Sequence, residues 1–174
     1  MTGRPLRAPG RIGPAALVGA ALLLSACSGG NVTTLTAPPT TDPSLTLALE
    51  HSPAGPILTT GTGATLYDFA PDGPTHSACT QDPCTFQWPP LLKVAPVAVG
   101  RGVDPALVGT LRRPGGATQL SYAGHPLYTY ALDVTPGMVT GQAVDQDGGP
   151  WYVLGPRGRQ ITTSFAVDAP NANG

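Results

Sequence analysis

Charged side chains are scarce in this sequence. Asp, Glu, Lys and Arg make up 11% of its 174 residues, and three of the nine basic residues, Arg4, Arg7 and Arg11, precede every acidic one. The chain beyond residue 26 therefore carries six basic against ten acidic residues, a net charge of −4. Because nucleic acids and anionic lipid surfaces are bound by basic patches, this balance argues against nucleic acid as a partner and against a polybasic membrane contact.

A hydrophobic run long enough to cross a bilayer is also lacking. The uncharged apolar stretch at residues 12–24 is shorter than the roughly 20 residues that a transmembrane helix needs. A run of this length behind a basic segment is typical of an export signal. It ends in Leu24-Ser25-Ala26-Cys27. This tetrapeptide resembles the lipobox of bacterial lipoproteins.

The lipobox resemblance implies that residues 1–26 are a signal peptide and are removed. It implies a thioether between Cys27 and diacylglycerol, and usually acylation of the new amino group. Several acyl chains anchor a protein stably where one binds only marginally. We therefore expect a protein held to the cell membrane, on its extracytoplasmic face, by lipid on Cys27. An ordinary secretory signal with a cysteine at its cleavage site is the alternative.

An internal duplication is the most informative pattern beyond the signal. The first copy contains Gly63, Leu66, Tyr67, Phe69 and Asp72. The second copy repeats the pattern 61 positions later, at Gly124, Leu127, Tyr128, Tyr130 and Asp133. A tryptophan follows each copy: Trp88 the first and Trp151 the second. Five positions matched in register, in a chain with 6% aromatic residues, indicate two related structural units.

Each copy is predicted to form strands. Tyr67 and Phe69 are two residues apart, so they share one face of an extended segment, and Leu66 points to the other face. The glycine before each motif predicts a tight turn and one hairpin per copy, with residues 57–60 and 118–123 as the partner strands. A third hairpin is predicted from residues 151–154, a turn at 155–158 and residues 159–163. A single helical turn is expected at residues 105–108.

The predicted fold is all-β: two similar hairpin-containing repeats packed into one small domain, with little helix beyond the signal peptide. Abundant Gly (23) and Pro (21) agree with many turns. We assign residues 27–54 to the lipidated cysteine and a flexible tether, because residues 28–44 are rich in Gly, Thr, Pro and Ser. Residues 55–113 form the first repeat with its cysteine loop, 114–165 the second repeat, and 166–174 a disordered tail.

These motifs resemble the bacterial secreted-repeat lipoproteins, which share a Tyr-x-aromatic-x-x-Asp motif in two or more copies. Tyr67-x-Phe69-x-x-Asp72 and Tyr128-x-Tyr130-x-x-Asp133 both match it. The cysteine pair before Trp88, the Gly-His-Pro-Leu-Tyr run ending at Tyr128, and Trp151-Tyr152-Val153 match further blocks; the resemblance covers residues 55–163. It implies an exported lipoprotein, and the family has no established activity.

Cys79 and Cys84 allow three interpretations. In an exported protein two cysteines this close are expected to form a disulfide. A metal site with His76 as third ligand and a redox-active dithiol are the alternatives. No Cys-x-x-Cys-His motif is present for haem attachment. We assign no cofactor.

Asp72 and Asp133 are the candidates for a paired acid site, since glycoside chemistry uses two carboxylates. An Asp at the end of a strand more often accepts backbone N–H bonds and fixes a turn. We therefore expect no catalytic residue and no enzyme. The expected function is a ligand- or partner-binding module of the cell envelope, acting on an unknown ligand or protein. A redox or metal-handling protein using Cys79, Cys84 and His76 is the first alternative, and a carbohydrate-active enzyme using Asp72 and Asp133 the second.

Overall fold

The structure, a computed structural model, describes residues 45–164 and shows short strands with little helix. In chain order the elements are β1 (Thr46–Ser52), β2 (Gly55–Thr60), β3 (Tyr67–Phe69), α1 (Cys84–Gln87), β4 (Ala98–Val99), a 3-10 helix (Pro105–Leu107), β5 (Val108–Arg112), β6 (Thr118–Tyr122), β7 (His125–Pro126), β8 (Asp145–Gln146) and β9 (Gly149–Val153). The all-β prediction is confirmed, and the expected helical turn at 105–108 is the 3-10 helix. The predicted signal peptide at residues 1–26, Cys27 and the predicted tail at 166–174 lie outside the described residues.

The strands form three small sheets, with the orders β2-β1-β4, β3-β9-β8 and β5-β6-β7. β1 runs antiparallel to β2 and parallel to β4, and every other pairing is antiparallel. Within residues 45–164 no helix is long and apolar enough to cross a membrane.

The tether assigned to residues 27–54 is wrong for its last part, because residues 46–52 form β1. Leu45 and Leu47 are buried at 2% and 0% exposure, and β1 pairs with β2 over six residue pairs. Ser52 closes the turn, since its hydroxyl donates to the carbonyl of Gly55 and accepts from the N–H of Ala54. Alternating leucines that enter the core explain why this segment joins the sheet.

The predicted turns are confirmed, but the predicted strand pairing is only partly right, because β3 pairs with β9 and not with β2, and Tyr128 and Tyr130 lie outside the strands. β6 returns into β7 through Ala123 and Gly124, whose φ angles of 51° and 84° are the left-handed values that such a two-residue turn requires. In the first copy the N–H of Leu66 donates to the carbonyl of Leu58 at 3.0 Å. The third hairpin closes with the N–H of Gly155 on the carbonyl of Arg159, at 2.9 Å.

The two copies of the repeat are interleaved. β3 of the first copy pairs with β9 of the second, so that Tyr67 lies opposite Val153 and Phe69 opposite Trp151. Tyr67 also forms an antiparallel bridge with Tyr128, in which each backbone N–H donates to the other residue's carbonyl at 2.9 Å. The corresponding tyrosines of the two copies are thus joined directly to each other.

Two cores lie on opposite faces of the motif strands, as the alternation of side chains predicts. Leu66 and Leu127 enter an aliphatic core, and Tyr67 and Tyr128 enter an aromatic one. The buried residues of the aliphatic core are Leu45, Leu47, Leu58, Leu66, Val103, Leu120, Tyr122, Leu127 and Leu154. Those of the aromatic core are Ile57, Tyr67, Phe69, Cys79, Cys84, Trp88, Tyr128, Tyr130, Val139, Trp151 and Val153.

Four rings of the aromatic core form a continuous stack, which we call the aromatic column. Its order is Phe69, Trp151, Trp88 and Tyr130, with successive ring centroids 4.2, 4.0 and 4.1 Å apart. Members of the two copies alternate along it. Gly141 lies against the column, and a Cβ there would come 2.7 Å from the ring of Trp88.

We predict that Tyr128→Ala lowers the melting temperature of the whole domain in one transition. Tyr128 is fully buried, and removing a buried aromatic side chain costs about 3 to 5 kcal/mol of the 5 to 15 kcal/mol that stabilises a typical domain. Thermal unfolding followed by circular dichroism and calorimetry measures this. Phe86→Ala, at a side chain 79% exposed, is the control and should change the stability little. Two separate transitions would contradict a single cooperative unit.

Candidate functional site

The tyrosine of each motif bonds to the aspartate of the other copy. The hydroxyl of Tyr67 donates to Oδ2 of Asp133 at 2.6 Å, and that of Tyr128 donates to Oδ2 of Asp72 at 2.7 Å. Burial is the largest cause that raises the pKa of both phenols, and the adjacent carboxylate raises it further. Both phenols therefore remain protonated donors. The tyrosine and the aspartate of the Tyr-x-aromatic-x-x-Asp motif thus form hydrogen bonds that join the two copies.

The second oxygen of each aspartate caps a loop. Oδ1 of Asp72 accepts from the N–H of Ala78 at 2.7 Å. Oδ1 of Asp133 accepts from the N–H of Thr140 at 3.0 Å and from its hydroxyl at 2.5 Å. Both aspartates therefore cap a turn in the structure, as the sequence favours.

A shared acid site gains no support from this arrangement. Asp72 and Asp133 bond to different tyrosines and cap different loops, and no hydrogen bond within residues 45–164 joins one to the other. Burial raises the pKa of Asp72, while its bonds from Tyr128 and Ala78 lower it. Each carboxylate is already occupied by partners from its own protein.

The Cys79–Cys84 disulfide is formed, as predicted, and it lies in the aromatic core. Both cysteines are buried, at 1% and 7% exposure. A metal site of His76, Cys79 and Cys84 is therefore wrong, because bonded sulfurs provide no thiolate ligands. Among the described residues no group of three or more His, Cys, Asp or Glu side chains is placed to hold a metal ion.

A buried arginine organises the loop before the disulfide. The guanidinium of Arg113 donates to Ser77 Oγ at 3.1 Å, to the carbonyl of Cys79 and to Oε1 of Gln119. Ser77 Oγ in turn lies 2.6 Å from the hydroxyl of Tyr128. Arg113 could not be predicted from the sequence as a site residue, because it falls at the boundary between the repeats, where no motif marks it.

A buried carboxylate, that of Asp68, holds three segments together. Its Oδ2 lies 3.0 Å from Nδ1 of His125 and accepts from Nε2 of Gln160 at 2.7 Å. The hydrogen bond with Asp68 raises the pKa of His125, burial lowers it, and the charges of Asp68 and Asp72 raise it further. Asp68 was not among the predicted site residues, although an aspartate between two core aromatics on a buried strand is a carboxylate that needs hydrogen-bond partners.

The surface offers shallow depressions and a few exposed apolar side chains. A depression of about 460 Å³ lies between Lys93, Val97 and Gly109, and two others, of about 360 and 200 Å³, adjoin each other at Thr62 and Pro136. Large apolar side chains that are exposed in the described residues are Phe86 (79%), Val94 (77%), Val99 (39%), Leu132 (58%) and Val134 (78%).

Three of these apolar side chains lie on segments that meet. The N–H of Ala131 donates to the carbonyl of Gln87 at 2.9 Å, which joins the segment after Tyr130 to the end of α1. Phe86, Leu132 and Val134 extend from these two segments, and we call them the apolar rim. Val134 also lines the depression of about 200 Å³.

Comparison with known proteins identifies one family. Residues 109–154 match the model of a family described as a secreted repeat of unknown function. The matched segment runs from β5 to the residue after β9 and contains Tyr128, Tyr130, Asp133 and Trp151. The resemblance found in the sequence is thereby confirmed. No curated protein and no solved structure matches the chain.

We predict that His125 stabilises the domain more at low pH than at high pH. Its folded pKa is raised, so the stabilisation is fully present below the unfolded value of about 6.5 and is lost as the pH rises through the folded value. Urea unfolding of the wild type and His125→Gln across this range measures the difference. His51→Gln, at an exposed histidine on β1, is the control. A difference between wild type and His125→Gln that is constant or grows with pH would contradict the pairing with Asp68.

Proposed function

The chain carries a secreted repeat of that family at residues 109–154, and we propose that it is an exported lipoprotein whose domain binds a partner protein of the cell envelope without catalysing a reaction. One observation carries this proposal. The tyrosines and aspartates of the motif, which are the residues with the most chemistry to offer, hold the two copies together. The exposed apolar rim then becomes the part of the described surface best suited to a partner.

The apolar rim supports a protein partner in particular. Large apolar side chains exposed on adjoining segments are candidates for a binding surface, and a hydrogen bond joins the segments that carry Phe86 and Leu132. Aromatic and aliphatic anchors such as Phe86 and Leu132 suit a pocket on another protein. Thr62 and Thr135 provide polar groups in the depression that Val134 lines. The net charge of −4 on the chain beyond residue 26 disfavours an anionic lipid surface as the occupant.

Lipid on Cys27 is the proposed anchor, and the apolar segment ending at Leu24-Ser25-Ala26-Cys27 supports it. The test is Cys27→Ala, which should release the protein from the membrane fraction or leave its signal uncleaved. Cell fractionation and intact mass measure this. An unmodified N-terminus on the mature wild-type protein in its native host would contradict the anchor.

The binding role is tested with the double variant Phe86→Ser/Leu132→Ser. Because both side chains are exposed, we expect an unchanged melting temperature and loss of the discrete cross-linked complex that the anchored protein forms in intact cells. Val94→Ser, at an exposed valine outside the apolar rim, is the matched control and should preserve the complex. An unchanged cross-linking pattern in the double variant would contradict the proposal. Retention of Cys27→Ala protein on neutral phosphatidylcholine vesicles, abolished by the double variant, would assign the apolar rim to lipid instead.

A further inference from the structure

The aromatic column has the geometry of a path for electrons. Its four rings succeed one another at centroid distances of 4.0 to 4.2 Å, and the two central members are tryptophans stacked at an interplanar angle of 1°. Tryptophan and tyrosine are the side chains most easily oxidised by one electron, apart from thiols. The end of the column at Tyr130 is 8% exposed, whereas both tryptophans are fully buried. An oxidising equivalent therefore has an entry at Tyr130 and a protected interior.

Two further tyrosines contact the column edge-on, and each has a proton acceptor. The ring centroid of Tyr67 lies 5.4 Å from that of Trp88, and the ring centroid of Tyr128 lies 5.1 Å from that of Trp151. Their phenols donate to Asp133 and Asp72. A phenol loses an electron far more readily when a carboxylate takes its proton in the same step. These two tyrosines are thus better final sites for an oxidising equivalent than the rings of the column.

Trp88 differs from its tyrosine neighbour in this respect. Its Nε1 is buried and has no hydrogen-bond acceptor among the described residues. An oxidised Trp88 therefore has no base within reach to which it can lose its proton, and it remains a strong oxidant. Tyr67, in contact with the same ring, has one. This difference directs the oxidising equivalent from Trp88 to Tyr67.

We propose that the domain reduces oxygen-centred radicals by one electron and stores the oxidising equivalent as a tyrosyl radical at Tyr67 or Tyr128. A peroxyl radical gains an electron from the column at Tyr130 and a proton from water, which gives a hydroperoxide and a hydroxide ion. The column recovers its electron from Tyr67, whose O–H bond breaks as the proton moves to Oδ2 of Asp133. The products are a phenoxyl radical and a neutral Asp133. Tyr128 and Asp72 provide the same step at Trp151. The protein is consumed in this reduction, which is stoichiometric and not catalytic, and the reaction does not depend on the binding function proposed above.

The test is flash oxidation of the full chain in detergent by photogenerated tris-bipyridine ruthenium(III). We expect a tryptophan radical whose decay matches the rise of a tyrosyl radical in transient absorption, and a slower transfer in D₂O because a proton moves with the electron. Asp133→Asn should reduce the yield of tyrosyl radical, and Trp88→Phe should slow its formation. The double variant Tyr67→Phe/Tyr128→Phe should lose the buried tyrosyl signal in electron paramagnetic resonance.

The matched control is Tyr122→Phe. Tyr122 is equally buried, but it lies in the aliphatic core and donates to the backbone carbonyl of Pro156 at 2.8 Å. This variant should leave the radical kinetics unchanged. A wild-type chain with no tyrosyl rise coupled to tryptophan decay would overturn the proposal even if the double variant failed to fold, and so would a signal abolished by Tyr122→Phe. In a second experiment, alkylperoxyl radicals from a thermal azo initiator replace ruthenium(III) as the oxidant. If ruthenium(III) produces the tyrosyl radical and the alkylperoxyl radicals do not, oxygen-centred radicals are not the substrate.

Discussion

The bridge between Tyr67 and Tyr128 is the contact on which the other features of the domain depend. Its two backbone hydrogen bonds, each of 2.9 Å, fix the copies side by side in antiparallel orientation. Both rings then enter the same core, and each phenol reaches the aspartate of the opposite copy. Trp88 and Trp151 stack between them. The repeat motif is therefore the interface between the two copies.

Buried charge adds a second constraint. A carboxylate inside a protein is costly unless hydrogen bonds replace its water. Asp68 is buried, and its Oδ2 has two such bonds while its Oδ1 has none among the described residues. Asp72 and Asp133 are half-buried, and both oxygens of each have hydrogen bonds. Hydrogen bonds to charged groups are worth about 1.5 to 3 kcal/mol each, roughly twice the value for neutral pairs. The chain has few charged residues, and the hydrogen bonds of these three aspartates thus favour one arrangement of the loops around the two cores.

The local features of the fold could be predicted from the sequence, and the long-range pairings could not. Side-chain alternation around Tyr67 and Phe69 gave the two faces correctly, and Ala123-Gly124 marked its turn. The pairing of β3 with β9 has no local signal, because tertiary packing selects partners that are distant in sequence. Leu45, Leu47 and Leu49 alternate as the residues of a strand do, but the tether was extended over them because the residues before them are rich in Gly, Thr, Pro and Ser.

The candidate site followed the same division. The sequence located Tyr67, Asp72, Tyr128 and Asp133 and favoured capping for the aspartates. It did not reveal that each tyrosine bonds across to the other copy, because a motif within one copy suggests partners within that copy. The roles of His125 and Gln160 were missed for a related reason. Their partner, Asp68, is far from both in the chain, and only folding brings them together.

The bond between copies is tested most directly by a double-mutant cycle on Tyr67→Phe and Asp133→Asn, with unfolding free energies from urea titration. The account predicts a coupling of about 1 to 3 kcal/mol, because each single change removes the same charge-assisted bond. The cycle on Tyr67→Phe and Asp72→Asn, which belong to one motif but share no bond, should be additive within about 0.5 kcal/mol. Additivity in the first cycle together with coupling in the second would contradict the account.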